Sequence, residues 1–143
     1  MERDISKLYQ DFILRKNQDP TGYEKRPLAQ HLIEAYNPLC GDKFKLFLDI
    51  NEGIITAASY HGYGCAISKA ATVVLIQKIQ NQTIKQALAI TESYFEVLNT
   101  EGVAITTEDE DLKAFEVIRQ FPERTTCANL TWLALKDFIN LSQ

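Results

Sequence analysis

Four side chains in this sequence have the chemistry to hold a soft metal ion or to carry sulfur. They are the thiols of Cys40, Cys65 and Cys127 and the carboxylate of Asp42. Only Gly41 separates Cys40 from Asp42, and a residue without Cβ lets the backbone turn so that both groups aim at one point. Cys65 follows Gly62-Tyr63-Gly64, and Cys127 follows Arg124-Thr125-Thr126. Both positions are expected at helix starts, where exposed N–H groups and the positive end of the dipole lower a thiol pKa. A thiolate is both a metal ligand and a nucleophile, and three thiolates with one carboxylate make a tetrahedral zinc shell. The C-x-D spacing lacks the specificity of paired C-x-x-C knuckles. Simple burial of three small apolar thiols is the competing reading.

Other reactive residues add little. His61, four residues before Cys65, has the reach to ligate a metal or tune a thiolate, but a hydrogen-bonded loop histidine is the commoner outcome. His31 reads as structural. The H-x-E and P-C-x-x-C pattern of zinc deaminases is absent, and Gly62-x-Gly64 lacks the remaining residues of a phosphate loop. The acidic run Glu108 to Asp111 suits a solvated helix start. Arg124 lies about one helical turn before Cys127, where its guanidinium is placed to steady a freed thiolate or persulfide. An ordinary exposed arginine is the alternative.

Composition narrows the partners. The chain has 143 residues and a net charge of −4, so one core is expected and a nucleic-acid partner gains no general electrostatic attraction. No apolar run approaches the roughly 20 residues of a membrane span, and the charged N-terminus has no apolar signal segment. An odd number of widely spaced cysteines argues against a disulfide framework and for a reducing cytoplasm.

These groups must be positioned by ordinary elements. Ile5, Leu8, Tyr9, Phe12 and Ile13 form a helical stripe, and residues 20–30 read as a loop before a short strand over His31 to Tyr36. Phe44, Leu46, Leu48 and Ile50 alternate with Lys45, Phe47 and Asp49, a strand with one buried face. Asn51-Glu52-Gly53 predicts a hairpin turn into a partner strand from Ile54 to Tyr60. Helices follow, from Cys65 to about Gln80, after a Thr83/Gln86 capping box, after a Thr107/Glu110 capping box, and from Arg124 to Leu141. Apolar residues surround the last of these, so most of it is expected to be covered. The class is α+β, a small antiparallel sheet with helices on one face, in a single domain over residues 1–143.

The three cysteine-centred segments, Asn37-Pro38-Leu39-Cys40-Gly41-Asp42, Gly62-Tyr63-Gly64-Cys65-Ala66-Ile67-Ser68-Lys69-Ala70 and Arg124-Thr125-Thr126-Cys127-Ala128-Asn129-Leu130-Thr131-Trp132, resemble the motifs of the NifU N-terminal/IscU family. They occur in the family's order and span the chain from its first helix to its last. The resemblance implies a three-stranded sheet packed on helices and work in iron–sulfur cluster biogenesis beside a PLP-dependent cysteine desulfurase. Scaffold members of the IscU type carry a histidine where Thr126 stands here, and a Leu-Pro-Pro-Val-Lys segment near Gln120 to Arg124. Residues 100–118 look like an insertion relative to them. These departures resemble the SufU type.

That type implies zinc on Cys40, Asp42, Cys65 and Cys127, with the protein accepting persulfide sulfur from a SufS-type desulfurase and relaying it to downstream cluster assembly. Cys40, on the more mobile element, is the expected acceptor, and the desulfurase is expected to donate a replacement ligand. The alternatives are a scaffold holding a transient iron–sulfur cluster on the same cysteines, and a small structural zinc protein.

Overall fold

The computed structural model describes residues 2–99 and 105–141. Helix α1 spans Glu2–Gln18; strands β1 (His31–Asn37), β2 (Asp42–Asn51) and β3 (Ile54–Tyr63) form one antiparallel sheet in the order β1-β2-β3. Helices α2 (Ala66–Ile79), α3 (Ile84–Asn99), α4 (Glu110–Lys113) and α5 (Thr125–Leu141) follow, with 3₁₀ turns over Ala114–Gln120 and Pro122–Arg124. The α+β expectation holds. Of the expected insertion, residues 100–104 lie outside the described residues.

Period-2 patterning sets the sheet's two faces. Phe44, Leu46 and Leu48 on β2 and Ile55 and Tyr60 on β3 are buried toward the helices. The β2–β3 turn has positive φ at both Glu52 (52°) and Gly53 (76°), the primed geometry that matches strand twist. Phe47 departs from the alternation. It points to the outer face yet is only 7% exposed, because the 20–30 loop crosses that face and places Pro27 and Ala29 beside it. Arg26 pairs there with Asp49, and the Gln30 N–H donates to Asp49 Oδ1 at 2.9 Å.

Helix α2 is buried on nearly every side, from Ala70 through Ile76, as a helix that is apolar all round must be. Beside it, Trp132 of α5 stacks on Tyr94 of α3 at 3.8 Å and donates from Nε1 to Ala71 O at 3.0 Å. Tyr94 Oη donates to Ala128 O at 2.7 Å, and the Thr72 and Thr131 hydroxyls share a hydrogen bond of 2.9 Å. These buried polar links fix the rotation of α5, and so the direction in which Cys127 points.

One local expectation needs correction. The capping residue before α4 is Asp109, whose Oδ1 accepts from the N–H groups of Asp111 and Leu112, whereas Thr107 accepts only from Asp109. A carboxylate nearer the first turn displaces the hydroxyl because it also answers the helix dipole. Helix α5 is mostly covered, as expected, and opens to solvent on its outer side, where Leu133 is 45% and Leu141 87% exposed. The Thr83/Gln86 capping box forms as expected, with reciprocal bonds of 2.9 and 3.0 Å. No helix among the described residues is long and apolar enough to cross a membrane.

Candidate metal centre

Antiparallel topology explains why distant motifs meet. The C-terminal end of β1, the N-terminal end of β2 and the C-terminal end of β3 share one end of the sheet, where Asn37 pairs with Asp42 and Lys43 with Tyr63. The β1–β2 loop therefore carries Cys40 to the same end at which the chain leaves β3 for Cys65. Helix α5 packs against β1 and α2 and delivers Cys127, in its first turn, from above.

The convergence is close. One ligand atom each from Cys40, Asp42 and Cys127 lie within 4.8 Å of one another, and the Cys40 and Cys127 sulfurs are 3.7 Å apart. Two thiolates on a tetrahedral zinc, at Zn–S of about 2.3 Å, stand about 3.8 Å apart, so this spacing fits that ion. Gly41 adopts φ +77°, the left-handed turn that lets Cys40 and Asp42 face one point. Cys65 stands at the margin of the trio. As N-cap of α2, its sulfur accepts from the Ser68 N–H at 3.5 Å, and its own N–H donates to Asp42 Oδ1 at 3.1 Å.

Asp42 is 2% exposed, and its second oxygen, Oδ2, is buried with no hydrogen-bond partner. An unpaired carboxylate oxygen is costly in such a place, and a cation between it and the thiols removes that cost. Cys127 is 1% exposed, and burial, followed by its Cys65 and Cys40 neighbours, pushes its thiol up to about 12. That reverses the lowering expected from its helix position, because desolvation and crowding by like groups outweigh the dipole. A bound divalent cation inverts this balance. The clustered donors, two sulfurs and one carboxylate oxygen with a third sulfur at their margin, suit a thiophilic metal.

The other candidates fall elsewhere. His61 lies on the outer face of β3, paired across from Lys45 and set against the Tyr23 ring at 4.7 Å, on the side of the sheet away from Asp42. His31 packs on Phe138. Arg124 is exposed on the 3₁₀ turn before α5 and lines, with Cys65, Leu14 and Phe121, a groove of about 460 Å³. Its guanidinium makes no hydrogen bond or ion pair among the described residues.

Two contributors have no chemical signature in the sequence. A Cβ at Gly64 would meet Phe44 Cε2 at 2.8 Å and Asp42 Oδ1 at 3.0 Å, so only glycine lets the chain pass this close. Ser68, three residues after Cys65, holds that sulfur, a spacing that reads simply as helix capping.

An open antiparallel sheet backed by helices, with thiols and a carboxylate gathered at one sheet end, defines a metal- or sulfur-handling protein. The chain belongs to the NifU-like N terminal domain family, whose model matches residues 8–128. It is 29% identical over 105 residues to a zinc-dependent sulfurtransferase, SufU, of Bacillus subtilis, covering 73% of this chain and 71% of that protein. It is 27% identical over 110 residues to the iron–sulfur cluster assembly scaffold protein IscU of Streptococcus pyogenes, covering 77% and 69%. In three dimensions it matches the N-terminal part of a NifU-like protein from Brucella abortus with TM-score 0.81 at 22% identity, covering 92% of each chain; that likeness concerns the fold.

Proposed function

We propose that this protein is a zinc-binding sulfur acceptor that takes persulfide sulfur from a SufS-type cysteine desulfurase and relays it to cluster assembly. The single observation that carries this reading is the cluster of Cys40, Asp42 and Cys127, in which Asp42 keeps one buried oxygen without a partner. Cys40, Asp42, Cys65 and Cys127 would hold the ion, which when bound keeps the thiols deprotonated at neutral pH. Similarity to a SufU named as zinc-dependent favours zinc, and threonine at position 126 removes the extra ligand expected of a scaffold. The free thiols suit a reducing cytoplasm.

The transfer itself belongs to Cys40, the exposed thiol of the three, on a loop with its tip in water. Its thiolate attacks the outer sulfur of the donor's persulfide. A bond forms between Cys40 Sγ and that sulfur, the donor's S–S bond breaks, and the electron pair departs with the donor cysteine as thiolate. The exchange is redox-neutral and leaves a persulfide on Cys40. Arg124, which lines the groove beside Cys65, would neutralise that anion.

The test combines metal analysis with turnover. Purified protein should carry one zinc per chain, and with cysteine and a SufS-type desulfurase it should raise sulfide production and gain one sulfur on the Cys40 peptide. Cys40→Ala should abolish stimulation while leaving a folded chain. Labile iron and sulfide in place of zinc would favour a scaffold; zinc without any stimulation would favour a structural role.

A further inference from the structure

Asn37 is nearly as buried as Asp42, which it faces across the sheet. It is 4% exposed and pairs across the strand ends with Asp42. Its polar groups are used unequally. The backbone carbonyl accepts from Gly41 N–H at 2.8 Å, and the side-chain Oδ1 accepts from Leu39 N–H at 3.1 Å. Both bonds close the four-residue loop that holds Cys40. Because the Leu39 N–H is a donor, the amide oxygen must face it, which turns the NH₂ group the other way. That group, Nδ2, is buried with no partner. Across the same strand pair, Asp42 Oδ2 is buried with no partner as well. A buried donor and a buried acceptor are thus left open on the two residues of one cross-strand pair, and each is costly alone.

We propose that Asn37 is a positioning residue of the metal centre. Its oxygen fixes the Cys40 loop, and its NH₂ group donates a hydrogen bond to the anionic donors once Cys40 and Asp42 are drawn onto the ion. The proposal rests on the zinc reading above. A hydrogen bond of this kind spreads ligand charge and holds the ligand in its bound orientation, and losing such a contact typically costs 10- to 100-fold in metal affinity. It gives the asparagine two separable tasks, loop closure and donation.

Substitutions separate them. Asn37→Asp and Asn37→Ser both keep an oxygen able to accept from Leu39 N–H, as Asx- and ST-turn residues do, and both remove the NH₂ donor. Serine does so without adding charge. Zinc affinity by chelator competition, and the thiolate-to-metal absorption of the cobalt(II)-loaded protein, are measured together with the melting temperature of the metal-free form. The expected result is metal-free stability for Asn37→Ser near the parent's, with zinc affinity about 10- to 100-fold lower and an altered cobalt spectrum; Asn37→Asp should fall at least as far. Parent-like affinity and spectrum in Asn37→Ser would reduce Asn37 to a loop residue and overturn the proposal. A parent protein that binds neither zinc nor cobalt tightly would instead overturn the zinc reading itself.

Discussion

The two oxygens of Asp42 do different work, and that makes the residue separable by substitution. Oδ1 accepts the Cys65 N–H at the start of α2, while Oδ2 has no partner within the protein. Asp42→Asn keeps an acceptor for that N–H and removes the charge; Asp42→Ala removes both. On the proposed ligand set, both variants should lose zinc affinity by at least 10-fold. Only the alanine variant should also strand the part-buried Cys65 N–H, costing about 1 kcal/mol. Chelator competition beside chemical denaturation checks this, and parent-like zinc affinity in both would remove Asp42 from the ligand set. Arg124 belongs to the same scale. It is exposed and makes no hydrogen bond or ion pair among the described residues, so Arg124→Ala should leave the melting temperature within about 2 °C. Desulfurase stimulation should nevertheless fall several-fold. An unchanged rate would return Arg124 to the solvated surface.

At the scale of elements, the site depends on how α5 and the outer loop are held. Tyr94→Phe removes the hydroxyl that donates to Ala128 O, a carbonyl that keeps its own helical partner within α5. A loss of about 1–2 kcal/mol is expected by denaturant titration, and a neutral result would mean that stacking on Trp132 alone fixes the helix. The 20–30 loop gives a pH signature. The Asp49 carboxyl is held below its ordinary range, first by the Gln30 N–H and then by the Arg26 side chain. A depressed folded pKa contributes stability above the unfolded value, near about 3.9, which is lost as pH falls through the folded one. Melting temperatures of the parent and of Asp49→Asn should therefore differ at pH 7 and converge below about pH 4. A gap that persists in acid would sink the account.

For the whole molecule, the proposed ligand set would couple metal binding to the fold, because it would join the β1–β2 loop to α5. Zinc at a thousandfold above its dissociation constant adds about 4 kcal/mol. For a domain of this size, about 2–4 °C per kcal/mol makes a rise in melting temperature on the order of 10 °C. Scanning calorimetry of zinc-loaded and chelator-stripped protein measures it. Equal melting temperatures would exclude a site that bridges these elements.

Much of this was legible in the residues themselves. The alternation through Phe44, Leu46 and Leu48, the Thr83/Gln86 cap and the turn at Gly53 each depend on neighbours a few positions apart. So does the pairing of Cys40 with Asp42 across Gly41, and short-range sterics decide all four. Long-range burial could not be read the same way. Phe47, outward by alternation, is covered by the 20–30 loop that crosses its face. His61, close to Cys65 in sequence, went to the opposite face of the sheet because strand residues alternate. The Cys127 thiol, expected to be acidified by its helix, is pushed the other way by burial among other thiols. The open atoms of Asn37 and Asp42 appear only when β1 and β2 are paired. Local spacing specifies which groups are available, but desolvation and the meeting of distant ligands depend on the packing of sheet against helices, which only the tertiary structure decides.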